Sequence, residues 1–416
     1  MKIAFLTLGC KLNYAETSTY ERGFVQAGLE VVPWSQKADI YLVNTCSVTA
    51  TSDSKSRNLV RKVHRINPSA KVIVTGCSAE LRRAEIEAIE GVTRVFGAKE
   101  KSLVVSETLA LCGMYAGAKS VPGGESVFGA YSTGERTRSF LKVQDGCNNF
   151  CHYCTVPYAR GESRNITICE CVRHARSIAE AGVKEVVLTG VNTGDFGRTT
   201  GETFLDLLKA LNEVEGIERY RISSIEPNLI TEEIIDWIAS GTKFQPHFHI
   251  PLQTGSDELL KKMGRRYDTA FFADRIEYIR RALEAPGRPK VFFGIDVMVG
   301  LPGETDELYA QTRAFIERIR PAFIHVFPYS RRPGTPAAEM PDQVSEEVKK
   351  ARVADLEALC SRLHEDFRKE NEGVCERVLF ESTNRRGTME GYTGNYIRVE
   401  RPYDPSLVNT LVEVTL

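Results

Sequence analysis

The sequence predicts an α/β protein in three parts: a small doubly wound parallel sheet, a partial (β/α)6 barrel and a small all-β module. Three observations carry this. Residues 1–110 alternate short apolar runs with longer amphipathic stretches. Residues 137–370 repeat a strand-then-helix pattern about six times. Beyond residue 375 the runs become short and strand-like, separated by Gly and Asn turns.

In the first part, strands are expected at residues 3–8, 39–43, 71–75 and 92–96, and helices at 15–27, 49–66 and 79–89. Residues 113–136 are rich in Gly and Ser, as in Val121-Pro122-Gly123-Gly124-Glu125-Ser126, and read as a linker or surface hairpin. The barrel strands are expected near 140–143, 185–188, 220–225, 248–251, 291–297 and 323–327. Helices at 170–180, 231–239, 270–283 and 306–319 separate them, and a long helix at 345–371 closes the unit. Parallel barrels carry their chemistry at the C-terminal strand ends. The final module offers strands at 378–381, 396–399 and 408–415. The expected domains are 1–112, 133–370 and 375–416.

Composition narrows the class. The chain has 416 residues, of which 42% are hydrophobic and 26% charged, with a formal net charge of −1. Global charge points to neither nucleic acid nor membrane, so any RNA site must be local. No apolar run is long enough to span a bilayer. Met1-Lys2-Ile3-Ala4-Phe5-Leu6-Thr7 enters a strand directly, without a leader pattern, so the cytosol is the expected compartment. Eleven cysteines in a reducing compartment point to metal binding or catalysis rather than disulfides.

The first cysteine constellation is Asp145-Gly146-Cys147-Asn148-Asn149-Phe150-Cys151-His152-Tyr153-Cys154, spaced C-x3-C-x2-C directly after the first barrel strand. Three thiolates on one loop can cap three corners of a 4Fe–4S cubane and leave the fourth iron vacant. A vacant iron suits a small chelate, such as the amino and carboxylate groups of S-adenosylmethionine (SAM). The competing reading is a zinc knuckle with His152 as fourth ligand, although zinc sites usually pair two C-x2-C units.

The second constellation is dispersed. Leu8-Gly9-Cys10, Asn44-Thr45-Cys46 and Thr75-Gly76-Cys77 each follow an expected strand of the first sheet. In a parallel sheet the C-terminal strand ends share one edge, where ligands bind. Any one of these cysteines is adequately explained as a small buried residue. Three with the same placement favour a second cluster with a vacant iron. Cys112, Cys169, Cys171, Cys360 and Cys375 lack that context and read as structural.

The C-x3-C-x2-C motif with Tyr153 before its last cysteine resembles the radical SAM superfamily signature. Four later stretches agree with it: Leu188-Thr189-Gly190-Val191-Asn192, Ser223-Ser224-Ile225-Glu226-Pro227, His249 to Ser256, and Asp296 to Glu304. The resemblance implies a radical SAM barrel with SAM contacts at Tyr153, Gly190, Asn192, Glu226, Gln253, Asp296 and Gly300. Two three-cysteine sets, such a barrel and a small β module together resemble the methylthiotransferases over essentially the whole chain. Gly391-Tyr392-Thr393-Gly394-Asn395-Tyr396-Ile397-Arg398-Val399 resembles their TRAM domain.

That family uses two 4Fe–4S clusters and SAM both as methyl donor and as radical source. The resemblance makes Cys147, Cys151, Cys154, Cys10, Cys46 and Cys77 catalytic metal ligands. It also implies an electron donor such as flavodoxin or ferredoxin, and a sulfur donor. Three branches act on two hypermodified tRNA adenosines or on an aspartate of ribosomal protein S12. Thr7-Leu8-Gly9-Cys10-Lys11-Leu12-Asn13 and Asn44-Thr45-Cys46-Ser47-Val48-Thr49 look most like the threonylcarbamoyladenosine branch. The isopentenyladenosine branch usually has Gln after the first cysteine, where this chain has Lys11. The partner implied is the tRNA anticodon stem-loop, modified at position 37, with no membrane. A reading of another class, an electron carrier or RNA-binding module without catalysis, leaves the glycine-rich Leu188–Asn192 motif without a purpose.

A local RNA site is legible. Residues 55–71 hold six Lys or Arg and no acidic residue. Arg57, Arg61 and Arg65 fall on one helical stripe, suited to phosphate contacts, although a merely solvated face explains the charge nearly as well. The β module holds five Arg against six acidic residues and presents no basic surface as a whole, which suits a protein substrate such as S12 better.

Overall fold

The chain is described by a computed structural model covering residues 1–114, 128–133 and 137–416. The turn expected at 121–126 lies outside the described residues.

The N-terminal unit is a five-stranded parallel sheet: β1 (Lys2–Thr7), β2 (Glu30–Val31), β3 (Ile40–Thr45), β4 (Lys71–Gly76) and β5 (Val92–Val95), in the order β2-β1-β3-β4-β5. Strand alternation gives it two apolar faces. Ala4, Leu6, Val43 and Val74 pack with Val60 and Val63 of α2 (Ala50–Ile66) and Ile86 of α4 (Arg83–Glu87). Ile3, Ile40, Leu42 and Ile73 pack with Tyr20 and Phe24 of α1 (Lys11–Gln26) and Val104 and Leu109 of α5 (Val104–Leu111). Two covered faces make the sheet doubly wound, as the sequence predicts.

Two helices differ from expectation. α1 starts at Lys11, directly after an extended Cys10 (φ −91°, ψ 175°), because Asn13 and Glu16 are buried polar residues that interrupt its apolar period. The helix expected at 79–89 is split into α3 (Cys77–Leu81) and α4, where Arg82 leaves helical geometry (φ −130°, ψ 34°).

The barrel holds six parallel strands: β7 (Arg138–Lys142), β10 (Glu185–Thr189), β11 (Arg219–Ile222), β12 (His247–Gln253), β13 (Phe292–Val299) and β14 (Phe323–Pro328). The short β6 (Ala130–Tyr131) pairs antiparallel with β7. β11 meets β12 loosely, through a Tyr220–Phe244 bridge and an Ile225 amide donating to the His249 carbonyl at 3.1 Å. Between β7 and β10 lie β8 (Gln144–Asp145), α6 (Val156–Arg160), β9 (Arg164–Asn165) and α7 (Ile168–Glu180). α8 (Phe204–Asn212), α9 (Glu232–Ala239), α10 (Asp257–Lys262), α11 (Thr269–Leu283), α12 (Asp306–Ile319), α13 (Pro336–Glu339) and α14 (Glu346–Lys369) complete the unit. Thr167, Thr203, Thr231, Thr305 and Ser345 cap the helices that follow them, each accepting the backbone amide three residues on. No helix among the described residues is long and apolar enough to cross a membrane.

The C-terminal unit is an antiparallel sheet ordered β17-β16-β15-β18, from β15 (Cys375–Phe380), β16 (Thr388–Tyr392), β17 (Arg398–Pro402) and β18 (Leu411–Thr415). It has four strands where the sequence suggested three. β17 starts two residues late because Tyr396 sits at φ 68°, outside strand geometry.

The first two units are joined by buried charge. Glu16, Lys101, Lys142, Asp145 and Arg160 are each at most 4% exposed. Glu16 Oε1 accepts from Lys142 at 2.8 Å, Lys101 at 2.9 Å and Arg160 at 3.2 Å. Asp145 meets Lys142 at 2.7 Å, Arg160 at 2.8 Å and Lys101 at 3.3 Å. Burial pushes both carboxyls up, but the three cations outweigh it and hold them well below the usual range. Depressed carboxyls contribute stability that is complete above their unfolded pKa and is lost as pH falls toward the folded one.

Glu16→Gln leaves Lys101 and Lys142 with one carboxylate between them. It is expected to destabilise the protein by about 3–5 kcal/mol at neutral pH, read by urea or thermal unfolding. Acidification below the ordinary glutamate value of 4.5 should destabilise wild type more than this variant.

Candidate functional site

The three dispersed cysteines stand where three parallel strands end. Cys10 opens α1 after β1, Cys46 follows β3, and Cys77 opens α3 after β4. Two glycines let these ends converge. Gly9 (φ 101°) backs onto Cys46, where an added Cβ would lie 2.9 Å from its sulfur. Gly76 (φ 100°) backs onto the Thr45 carbonyl so closely that a Cβ there would clash with its oxygen. Asn13 ties the ends together, donating to the carbonyls of Leu8 at 2.7 Å and Thr45 at 2.9 Å. Burial pushes the Cys46 and Cys77 thiols up, and each also feels the charge of Cys10.

The C-x3-C-x2-C loop leaves β8 through Gly146 (φ 73°), whose backbone lies against Glu162. The Cys147 amide donates to the Gly161 carbonyl at 3.1 Å, and the Cys154 amide to the Cys151 carbonyl at 2.9 Å. Phe150 turns the loop at φ 48°. Amides of Asn149 and Val156 donate to the Cys147 and Cys154 sulfurs, each at 3.4 Å. Burial pushes Cys154 up to about 12, so the free thiol keeps its proton at neutral pH.

The sulfurs of each trio are too far apart to share one ion. Among the described residues, the one group of three His, Cys or acidic residues with donor atoms within 4.8 Å of one another is His249, Asp296 and His325. A cubane places each thiolate at a separate corner, so both trios fit a multi-iron cluster better than a single zinc. His152 faces elsewhere: its Nδ1 lies 2.8 Å from the Lys262 carbonyl and its ring packs on Gly264.

Most of the motif residues meet beside this loop. Arg265 donates to Cys151 Sγ and to Tyr153 Oη, both at 3.2 Å, and to both Glu226 oxygens at 2.7 and 2.5 Å. The Glu226 amide donates to Asn192 Oδ1 at 3.2 Å. Gln144 Oε1 accepts from the Val191 and Asn192 amides at 2.9 and 3.0 Å, and Gly190 leaves it room. Gln253 sits at φ 70° where the β12–β13 register slips. Asp296 stands apart in the barrel lumen, bonded to His249 at 2.8 Å. Gly300 faces the closing helix, where a Cβ would run into the Lys349 side chain.

The two trios are neighbours through α6. Arg160, the last residue of that helix, donates to Asn13 Oδ1 at 2.5 Å and to Asp145. Burial opposes its charge, but Cys77, Asp145, Glu16 and Cys10 sustain it. Arg332, beyond β14, bonds Ser47 next to Cys46 at 2.9 Å and also Asp53 of α2. Arg160, Arg265, Arg332 and Gln144 escape sequence reading, because no spacing marks a residue whose partners lie on another unit, as for Arg160 and Arg332, or on a distant barrel segment, as for Arg265 and Gln144. The arginine stripe lies on α2 as expected. Arg61 and Arg65 are exposed, whereas Arg57 is drawn to Glu85 at 3.7 Å.

Fold and site together define an enzyme class whose barrel loop carries the cysteines and whose added parallel sheet carries a second trio. The Radical SAM superfamily matches residues 141–316, and Uncharacterized protein family UPF0004 matches residues 2–97. The chain is 40% identical to the threonylcarbamoyladenosine tRNA methylthiotransferase MtaB of Bacillus subtilis, over 100% of this chain and 93% of that protein. It is 33% identical to the tRNA-2-methylthio-N(6)-dimethylallyladenosine synthase of Pelotomaculum thermopropionicum, over 100% of this chain and 95% of that protein. Among solved structures, the radical SAM methyltransferase TsrM of Kitasatospora setae shares the fold, with a TM-score of 0.58 at 14% identity over 81% of this chain and 77% of that one. The chain belongs to the radical SAM methylthiotransferase family. Membership implies a 4Fe–4S cluster and SAM.

Anaerobic reconstitution should load about eight irons per chain, two cubanes. Cys46→Ala should load about four while still cleaving SAM to 5′-deoxyadenosine. Loss of all iron in that variant would show that the six cysteines do not divide into these trios.

Proposed function

We propose that this protein adds a methylthio group to C2 of N6-threonylcarbamoyladenosine at position 37 of tRNA, beside the anticodon. The observation that carries this reading is the approach of two cysteine trios across one short helix, with Arg160 between them. Cys147, Cys151 and Cys154 hold the cluster that binds SAM, with Glu226, Asn192 and Gly190 shaping the cofactor pocket. Cys10, Cys46 and Cys77 hold a second 4Fe–4S cluster, which presents sulfur. Bound there, the clusters and SAM supply the radical, the methyl group and the sulfur. The chain's own part is to fix both trios, exclude water and hold the adenosine between them.

A cavity of about 630 Å³ between the three units suits that adenosine. Cys10, Tyr14, Phe140, Arg221, His247 and Tyr396 are among the residues that line it. The relative that modifies threonylcarbamoyladenosine is 40% identical, and the one named for dimethylallyladenosine 33%. The motif around Cys10 and Lys11 points the same way. An electron donor such as flavodoxin or ferredoxin and a sulfur donor complete the cycle.

Mass spectrometry of tRNA nucleosides from a strain lacking the gene tests the substrate. The expected result is loss of the methylthio group from threonylcarbamoyladenosine alone. Its retention there, with loss from dimethylallyladenosine or from ribosomal protein S12, would move the enzyme to another branch. Replacing Arg61 and Arg65 with Gln should weaken anticodon stem-loop binding and lower the salt slope by about one for each phosphate no longer neutralised. An unchanged slope in a salt titration would leave α2 a solvated face.

A further inference from the structure

The cavity beside Cys10 contains polar groups that the fold itself leaves without partners. Lys11 has no hydrogen bond and no ion pair among the described residues. Of its neighbours, Arg221 pairs with Glu185 at 2.7 Å and Arg138 with Glu381, although Arg138 Nη1 is buried without a hydrogen-bond partner among the described residues. The carboxylate whose charge reaches Lys11 is that of Asp296, which is bonded to His249 rather than to the ammonium. Lys11 keeps access to solvent, but the cavity walls crowd it, and this desolvation together with Arg138 and Arg221 lowers its pKa. Two further lining groups, His247 Nδ1 and Thr383 Oγ1, are buried and lack a hydrogen-bond partner among the described residues.

Adenine chemistry says what belongs there. C2 and N6 flank N1 on one edge of the base, so whatever delivers sulfur to C2 stands close to the N6 substituent. Cys10 belongs to the trio assigned to sulfur, and Lys11 is the next residue. A threonylcarbamoyl group carries a carboxylate, a hydroxyl and a ureido unit. It can satisfy an ammonium, a neutral imidazole and a hydroxyl at once, whereas a dimethylallyl group satisfies none of them. A site built to hydrogen-bond its substrate rejects the analogue that lacks those groups, because its own polar atoms are then left unpaired.

We infer that Lys11 is the specificity-determining residue of this enzyme, binding the threonine carboxylate of the N6 substituent, with His247 and Thr383 taking its remaining polar atoms. This inference rests on the substrate reading proposed above.

The test uses the anaerobically reconstituted enzyme and three anticodon stem-loop RNAs. These carry threonylcarbamoyladenosine, the same nucleoside with its carboxylate converted to a carboxamide, or dimethylallyladenosine. Kd is measured by fluorescence anisotropy for wild type, Lys11→Gln and Lys11→Arg, and methylthiolation by mass spectrometry. Lys11→Gln should weaken binding of the carboxylate RNA about tenfold to a hundredfold and change binding of the carboxamide RNA less than about twofold. Lys11→Arg should retain most of the discrimination. Equal weakening of both RNAs, the mark of a phosphate contact or of local damage, would overturn the inference, and so would no weakening of either. Wild type that does not prefer the threonylcarbamoyl RNA over the dimethylallyl RNA would overturn the substrate reading itself, whatever the Lys11 variants do.

Discussion

Glu16 and Asp145 hold this molecule in one arrangement, because each must meet the same three buried cations. Lys101 comes from the N-terminal unit, and Lys142 and Arg160 from the barrel strand and the helix that frame the cysteine loop. Removing such charges from water costs several kcal/mol per ion, and their attraction only roughly offsets that cost. Apolar packing of the same volume would give similar stability but would tolerate sliding. A carboxylate oxygen that accepts three cations at 2.8 to 3.2 Å does not. The cluster therefore fixes the position of α1, and of Cys10 at its start, relative to the loop of Cys147.

The same charges bear on the thiols. With Arg164 3.6 Å from Asp145, the cations outnumber the two carboxylates, and Arg160 carries positive charge toward Cys77 and Cys10. The barrel loop repeats the device. Arg265 is held by Glu226 and donates to Cys151. A thiolate cluster puts negative charge into the interior, and a guanidinium anchored by a carboxylate is well suited to offset it, since it stays charged when buried. Peptide N–H groups aimed at Cys147 and Cys154 add to this on the barrel side.

How much of this the sequence made legible depends on whether a feature has a period or a spacing. The parallel sheet, the six barrel strands and the closing helix α14 have the right period, and their positions agree with expectation within a few residues. The cysteines could be grouped because contiguous spacing marks one trio and repeated strand-end contexts mark the other. α1 hid its first turn because Asn13 and Glu16 point inward to serve the site rather than the core. β16 hid because Thr388-Met389-Glu390-Gly391-Tyr392 alternates weakly and includes a glycine. Arg160, Arg265 and Arg332 were illegible for another reason. Each acts on a partner more than a hundred residues away, and no local pattern encodes that.

The contrast within the cavity wall ties these themes together. Where the C-terminal sheet meets the barrel, polar atoms are matched with care. Arg221 donates to the carbonyls of Gly394 at 2.6 Å and Thr393 at 2.7 Å, and Thr393 Oγ1 donates to Asn395 at 2.6 Å. A short way off, a fold able to satisfy those groups leaves His247 Nδ1, Thr383 Oγ1 and the Lys11 ammonium without hydrogen-bond partners among the described residues. Buried polar atoms are usually hydrogen-bonded, and here two that are not line one cavity together with a lysine ammonium that makes no ion pair. They lie beside Cys10, where a substrate must present both the carbon to be modified and its polar N6 group. The rigidity imposed by Glu16 and Asp145 is what gives such a set of unmatched groups a fixed shape to offer.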